Sequence, residues 1–295
     1  MSSTSSVEAS PRPVLLVSGA DQPGIVAAVA SLLAGYGANI VSLDQYSSDP
    51  AGGEFFQRIE FHVADFVAVR PKLEAELEQV VGTGGFGLTW HLDDLSVPKR
   101  VAILVSITDH NLLDLLWRQR RGEINMTVPM VISNHTVVAE DVRFFGIPFF
   151  YVESQGTDKS QAEAEIVKLL KGNVDLVVLA RYMQILSDDF ITAVGAPVIN
   201  IHHSFLPAFI GASPYKKAKA RGVKLVGATA HYVTKDLDEG PIIEQDVVRV
   251  NHADTVEELT RKGAEVERQV LTRAVAWHVE DRVIRAGHHT VVFRD

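Results

Sequence analysis

The sequence predicts an α/β fold in two domains, a ferredoxin-like βαββαβ unit followed by a Rossmann-like domain with a mainly parallel sheet. Three observations carry this expectation. The chain has 295 residues, enough for two domains at roughly 100–200 residues each. Its composition, 46% hydrophobic and 22% charged, is that of an ordinary globular protein with ample core-forming side chains. The apolar pattern also changes along the chain, from alternating strands with two helices to buried strands separated by helix-length segments.

Residues 1–12 are Ser-rich, without an apolar run or early basic residues, and are expected to form a disordered tail, not a signal peptide. Residues 14–17 form an apolar strand, and Asp21-Gln22-Pro23-Gly24 is a turn-and-cap run. Ile25, Val29, Leu32 and Leu33 then recur at helical spacing until Gly35 and Gly37 stop the helix. Residues 39–46 and 54–63 alternate as strands around Gly52-Gly53, the pattern of a hairpin. Val69, Leu73, Leu77 and Val80 mark a second helix, and residues 87–91 a last strand. This order is the split βαββαβ unit, assigned to residues 13–93. Gly82-Thr83-Gly84-Gly85-Phe86-Gly87 matches a dinucleotide fingerprint by letter. A helix precedes it and a strand follows, the reverse of what that motif needs, so it is a turn.

Residues 94–99 read as a linker, and residues 100–295 as the second domain. Apolar runs at 100–106, 128–132, 148–151, 174–179 and 197–201 alternate with helix-length stretches, the signature of a parallel sheet covered on both faces. Residues 225–233 and 242–250 follow one another without a helix between them, which predicts an antiparallel addition to that sheet. A long final helix carries Val256, Leu259, Gly263, Val266, Val270 and Ala274 on one stripe.

Several function classes are excluded at this level. There is no cysteine, hence no disulfide framework, thiolate zinc site or cysteine nucleophile. A net charge of -9 argues against a broad nucleic-acid surface. No apolar run reaches membrane-spanning length. A cytoplasmic location is expected. His202, His203, His231 and His252 invite a zinc reading, but no H-E-x-x-H occurs and neighbours on a strand point to opposite faces. No metal is expected.

The informative stretch is Asn200-Ile201-His202-His203-Ser204-Phe205-Leu206-Pro207, a buried strand running into a loop. In open α/β sheets ligands bind beyond the carboxyl ends of strands. Asn200 and His202 are two apart, so a strand projects both from one face. A satisfied polar pair at a strand end would explain these two alone. A second strand, Gly227-Ala228-Thr229-Ala230-His231-Tyr232-Val233, has small residues where a neighbour must pack closely, and it leads to Leu237-Asp238-Glu239-Gly240. Amide, imidazole and carboxylate together cover oxyanion stabilisation, proton transfer and orientation. Asn200, His202 and Asp238 are therefore the candidate catalytic residues, with His231, Ser204 and Thr229 supporting them from behind. His203, Ser204 and Asp238 imitate a serine-hydrolase triad, but there is no G-x-S-x-G elbow around Ser204.

These motifs resemble those of the folate-dependent formyltransferase family, over roughly residues 100–295. The resemblance implies a catalytic Asn, His and Asp, no metal cofactor and a folate pocket beside the sheet. In that pocket it places Met183, Gln184, Ile185 and Leu186. The N-terminal unit, with Asp21-Gln22-Pro23-Gly24-Ile25, resembles an ACT domain. That likeness implies a small effector such as an amino acid near Asp21, Gly24 and Asn39, or a purely oligomerising role. Both readings stand, and a homo-oligomer is expected.

Branches of the family differ in what receives the formyl group. A ribonucleotide acceptor calls for a glycine-rich phosphate loop after the first strand, whereas Ser106-Ile107-Thr108-Asp109-His110-Asn111 has no glycine and contains an acid. A tRNA acceptor calls for a basic surface and, by family pattern, a further domain. Water remains. The expected reaction is hydrolysis of 10-formyltetrahydrofolate to tetrahydrofolate and formate, in support of one-carbon balance and purine synthesis. The non-catalytic alternative is an amino-acid sensor that retains a folate pocket.

Overall fold

The computed structural model describes residues 10–49, 51–153, 158–208 and 214–294. Residues 1–9 of the expected tail lie outside the described residues. The chain divides into two compact units.

The N-terminal unit contains β1 (Pro13–Ala20), α1 (Ile25–Gly35), β2 (Asn39–Ser47), β3 (Glu54–His62), α2 (Phe66–Val80) and β4 (Thr89–Asp94). Its four-stranded sheet has the order β2-β3-β1-β4, and each neighbouring pair is antiparallel. This is the βαββαβ arrangement expected from the alternation. Leu15, Val17, Ile59, Ile25, Val29, Leu33, Leu73 and Leu77 meet in one apolar core. Gly24 opens α1 at φ 97°, a left-handed conformation that side chains resist.

Two boundaries differ from the sequence expectation. β4 runs through Asp94 and β5 (Lys99–Val105) starts at Lys99, so the connection is shorter than residues 94–99. The second domain is also not continuous to the C-terminus: Glu280–Ile284 and the described residues from Val291 onward belong to the N-terminal unit. The reason lies on β3. Arg58 is only 1% exposed, on the sheet face opposite the core just described. Its guanidinium donates from Nε to the Asp281 carbonyl and from Nη2 to the Glu280 carbonyl, both at 3.1 Å. A buried cation needs such acceptors, and the chain's last segment supplies them.

The second unit continues from β5 through α3 (His110–Arg120), β6 (Met126–Thr127), β7 (Val131–Ser133), α4 (Ala139–Phe144), β8 (Phe149–Tyr151), α5 (Lys159–Leu170), β9 (Leu176–Ala180), α6 (Asp188–Val194) and β10 (Val198–His202). Then come α7 (Pro214–Arg221), β11 (Leu225–Tyr232), β12 (Ile242–Arg249) and α8 (Val256–Val279). Two four-residue strands, β13 (Val283–Ala286) and β14 (His289–Val292), pair with each other and straddle the division. The main sheet has the order β12-β11-β10-β9-β5-β7-β8, with β6 beside β5. β10, β9, β5, β7 and β8 are parallel, and β11 and β12 extend the sheet antiparallel, as expected. Val101, Ile103 and Val105 on one face of β5, and Ala102 and Leu104 on the other, are all fully buried. That two-sided burial is why the parallel strands read as unbroken apolar runs.

This topology positions the site. From β5 the chain moves outward to β7 and β8, then returns to β9 and β10 on the other side. Strand order reverses beside β5, so the carboxyl ends of β5 and β9 flank the crevice where such sheets customarily bind ligands.

α8 also carries His278, whose Nδ1 lies 2.7 Å from the Tyr232 hydroxyl. Burial, with the nearby charges of Lys99 and Arg285, pushes the imidazole down to about 3. Below the ordinary histidine range, near 6.5, the unfolded chain takes a proton that the folded chain refuses. Stability is expected to fall as the pH drops from about 6.5 towards 3, by at most about 1.4 kcal/mol per pH unit from this residue. Urea titrations of His278→Gln against the parent should show a flatter pH dependence over that window.

Candidate active site

β10 ends in the pair that its spacing indicated. Asn200 and His202 lie on one face, opposite His231 and Thr229 of antiparallel β11. His202 is 6% and His231 2% exposed. Asp238 reaches them from the turn after β11, where its backbone is left-handed at φ 57°. Gly240 permits that turn: a Cβ there would lie 1.8 Å from the Tyr232 carbonyl oxygen, and Tyr232 N–H donates to the Pro241 carbonyl at 2.9 Å. Gly240→Ala is therefore expected to destabilise by about 1–3 kcal/mol through overpacking. By displacing Asp238 it should also lower turnover by about 100-fold. A urea midpoint and a kcat on the same preparation check both.

The resulting geometry is compact. His202 Nδ1 lies 3.3 Å from Asp238 Oδ2, and His231 Nε2 lies 3.8 Å from Asp238 Oδ1. The hydrogen bond from His202 holds the Asp238 carboxyl below its usual range, against a smaller opposing effect of burial. Asp238 is thus ionised near neutrality and takes up His202 Nδ1, which leaves Nε2 outside that contact. That Nε2 is buried and has no protein hydrogen-bond partner among the described residues. Burial lowers the pKa of His231, whose Nδ1 donates to the Tyr232 carbonyl at 3.0 Å. Its unprotonated Nε2 then accepts from Asn200 Nδ2 at 3.2 Å. His231 thus sets the Asn200 amide as a donor, a closer partnership than its 3.8 Å approach to Asp238.

Thr229 and Ser204 stand behind this group. Thr229 Oγ1, fully buried, donates to the Ser204 carbonyl at 2.9 Å and accepts from Leu206 N–H at 3.0 Å and Gln245 Nε2 at 2.9 Å. Ser204 Oγ donates to the Ala208 carbonyl at 2.9 Å, so its hydroxyl holds the loop. The small residue Gly227 is also explained: a Cβ there would meet the Asp246 carbonyl at 2.4 Å.

A cavity of about 660 Å³ opens over Asn200, His202 and Asp238 and is lined on another side by Met183, Gln184 and Ile185. Met183 and Ile185 are each 61% exposed, an apolar surface at the mouth of a polar site. Leu186 does not join them; it packs against the core between the sheet and α5 and α6.

In the N-terminal unit the expected effector residues do not come together. Asp21 N–H donates to the Gly53 carbonyl at 2.8 Å, and its carboxylate accepts from Ser47. Asp21 and Gly24 thus sit at the β3 start. Asn39 pairs with His62 at the β3 end, on the order of 25–30 Å away at about 3.3 Å per residue. β1 and β2 run the same way, so a residue ending one and a residue starting the other lie at opposite sheet ends. Among the described residues, carboxylate and imidazole atoms at metal-ligand spacing gather at His91, Asp93 and Asp281.

One group escaped the sequence reading. Glu267 of α8, 1% exposed, accepts from His110 Nε2 at 2.9 Å and Asn111 Nδ2 at 3.3 Å on one oxygen. On the other it accepts from the Tyr215 hydroxyl at 3.0 Å and Arg181 Nη1 at 3.4 Å. Burial works to raise the pKa of Glu267, but His110 and Arg181 outweigh it and hold the carboxyl low. Arg181 and Tyr215 line the main cavity together with His203. Burial, then the charge of Arg181, lowers His203 to about 4. The signal was present: Glu267 falls four residues after Gly263 and three before Val270, on the buried stripe of α8.

Fold and site together define an α/β enzyme with an amide, imidazole and carboxylate at the carboxyl end of its sheet, preceded by a small βαββαβ unit. The formyl transferase family model matches residues 99–275, and the ACT domain model residues 13–78. Formyltetrahydrofolate deformylase of Mycobacterium bovis is 57% identical over 92% of this chain and 88% of its own length. The crystal structure of a formyltetrahydrofolate deformylase from Pseudomonas syringae superposes with a TM-score of 0.90 at 40% identity, covering 98% of this chain and 96% of that one. Glycinamide ribonucleotide transformylase 1 of Symbiobacterium toebii reaches a TM-score of 0.65 at 32% identity, covering 69% of this chain and 98% of its own. The chain belongs to the formyltetrahydrofolate deformylase family.

Proposed function

We propose that this protein hydrolyses 10-formyltetrahydrofolate to tetrahydrofolate and formate, with Asn200, His202 and Asp238 as the catalytic residues. The observation that carries the reading is the His202–Asp238 pair, with Asn200 on the same face, opening into a cavity large enough for a pterin-sized substrate. Met183, Gln184 and Ile185 form the folate-binding side. His202 Nε2 takes a proton from water as its oxygen adds to the formyl carbon. Asn200 donates to the developing oxyanion, and the imidazolium, stabilised by ionised Asp238, returns the proton to N10 as the C–N bond breaks.

No metal enters this scheme. The site supplies its own base and oxyanion donor, and His231 commits both ring nitrogens to Asn200 and the Tyr232 carbonyl. We further propose that the formate serves purine synthesis and that the protein is a cytoplasmic homo-oligomer. The ACT unit is proposed to bind an amino-acid effector close to Asp21 and Gly24, without Asn39. No described helix is long and apolar enough to cross a membrane. The deciding assay incubates chelator-treated protein with 10-formyltetrahydrofolate and no acceptor. Formate and tetrahydrofolate should appear in equal amounts; folate binding with no release would leave a sensor.

A further inference from the structure

We propose that Arg181, Tyr215 and Glu267 form a built-in plug in the ligand crevice of the sheet, which bars amine acceptors from the formyl group and keeps water as the acceptor. The inference rests on the hydrolytic function proposed above. The crevice where strand order reverses lies beyond the carboxyl ends of β5 and β9, and an open α/β sheet ordinarily admits a ligand there. Here the protein fills it with its own side chains. His110 and Asn111 come from the start of α3 after β5, Arg181 directly follows β9, and Glu267 enters from α8 to bind them all. Tyr215 closes the group from α7.

Three features mark this cluster as built for a purpose. A buried charged group is seldom the most stable way to fill an interior, since apolar packing of similar volume does as well or better. Its presence therefore calls for a role beyond stability. Second, α8 has a glycine at 263, where a Cβ would lie 1.9 Å from the Tyr215 hydroxyl. The helix is cut away to let that ring reach Glu267. Third, Arg181 stands in a left-handed conformation at φ 63°, uncommon for a side chain of its size, and this backbone turns the guanidinium towards Glu267.

The plug is also in the right place. Its cavity-facing members, Arg181 and Tyr215, line the same cavity as Asn200, His202 and Asp238. His203 lies between the two groups, with its ring 5.3 Å from that of His202 and 6.1 Å from that of Tyr215. Arg181 and Tyr215 therefore take up room beside the catalytic group that an acceptor larger than water could otherwise use. Removing the plug lets an uncharged amine add its nitrogen to the formyl carbon. The C–N10 bond then breaks, the amine proton passes to N10, and an N-formyl amine and tetrahydrofolate leave.

The test uses the full chain, as wild type, Arg181→Gly, and the double variant Arg181→Gly/Glu267→Gln, with 10-formyltetrahydrofolate and millimolar glycinamide. Glycine suits the left-handed position, and the double variant removes both charges, so no carboxylate is left buried without its partner. Tetrahydrofolate, formate and N-formylglycinamide are measured together on proteins shown to be folded by circular dichroism. Wild type should give formate alone. Either variant should raise the N-formylglycinamide share of turnovers at least about tenfold over the wild-type background, a partition that a merely structural role would leave unchanged. Folded variants that give formate alone, or that lose all turnover, overturn the plug. Wild type that formylates glycinamide overturns it as well. Wild type that releases no formate overturns the hydrolytic reading on which the plug depends.

Discussion

His202→Ala should lower kcat by roughly 100- to 10,000-fold, the range for loss of a positioned proton-transfer group, with little change in KM. In the proposed scheme its Nε2 is the nitrogen that takes the proton from water, while residues 183–185, elsewhere on the cavity lining, hold the folate. Asp238→Asn should fall in the same range, because an amide cannot supply the charge that stabilises the imidazolium. The two act as one unit through their 3.3 Å contact. The double variant should therefore lose little more than the worse single one. Single-turnover measurements on proteins with wild-type circular dichroism decide the matter, and retention of most activity would remove both residues from the mechanism. Asp238 is held ionised, so no loss of rate should arise from it above about pH 4, the ordinary aspartate range.

Asn200→Ala should cost roughly 100- to 1,000-fold in kcat, the usual effect of deleting an oxyanion donor. The loss should again fall on kcat and not on KM, since the donor acts on charge that develops only during reaction. His231→Phe offers a companion measurement. It leaves Asn200 in place but removes the imidazole that accepts from its amide at 3.2 Å. A partial loss of kcat, well short of that in Asn200→Ala, would show that the orientation of the amide matters as well as its presence.

Much of this site was legible because its chemistry interrupts a pattern. Asn200 and His202 break an apolar strand at spacing two, and Asp238 sits in a tight turn that follows a second histidine-bearing strand. The parallel sheet was legible for the complementary reason, since strands buried on both faces leave unbroken apolar runs. Arg181, Tyr215 and His110 gave no such signal. Each looks like an ordinary polar residue until α8 brings Glu267 to it from 52 to 157 positions away in sequence. Leu186 and Asn39 show the opposite error. Leu186 adjoins the pocket segment in sequence, and Asn39 starts a strand at a turn that could approach Asp21, but helix packing turned one inward and strand direction carried the other to the far end of its sheet. The pairing of β13 with β14 was also invisible, because four-residue strands carry too few alternations to register.

The return of the chain's last segment to β3 has a consequence for biosynthesis. Arg58 is translated 222 and 223 residues before the carbonyls that accept its hydrogen bonds. At about 5–20 residues per second, that interval is on the order of ten to forty seconds. Throughout it the first unit to leave the ribosome has the Arg58 cation and the sheet face around it still uncovered, while the later, catalytic unit is being made. The domain that starts first is thus completed last. A nascent chain halted before residue 280 would present that open face to chaperones and proteases even after its catalytic sheet had formed.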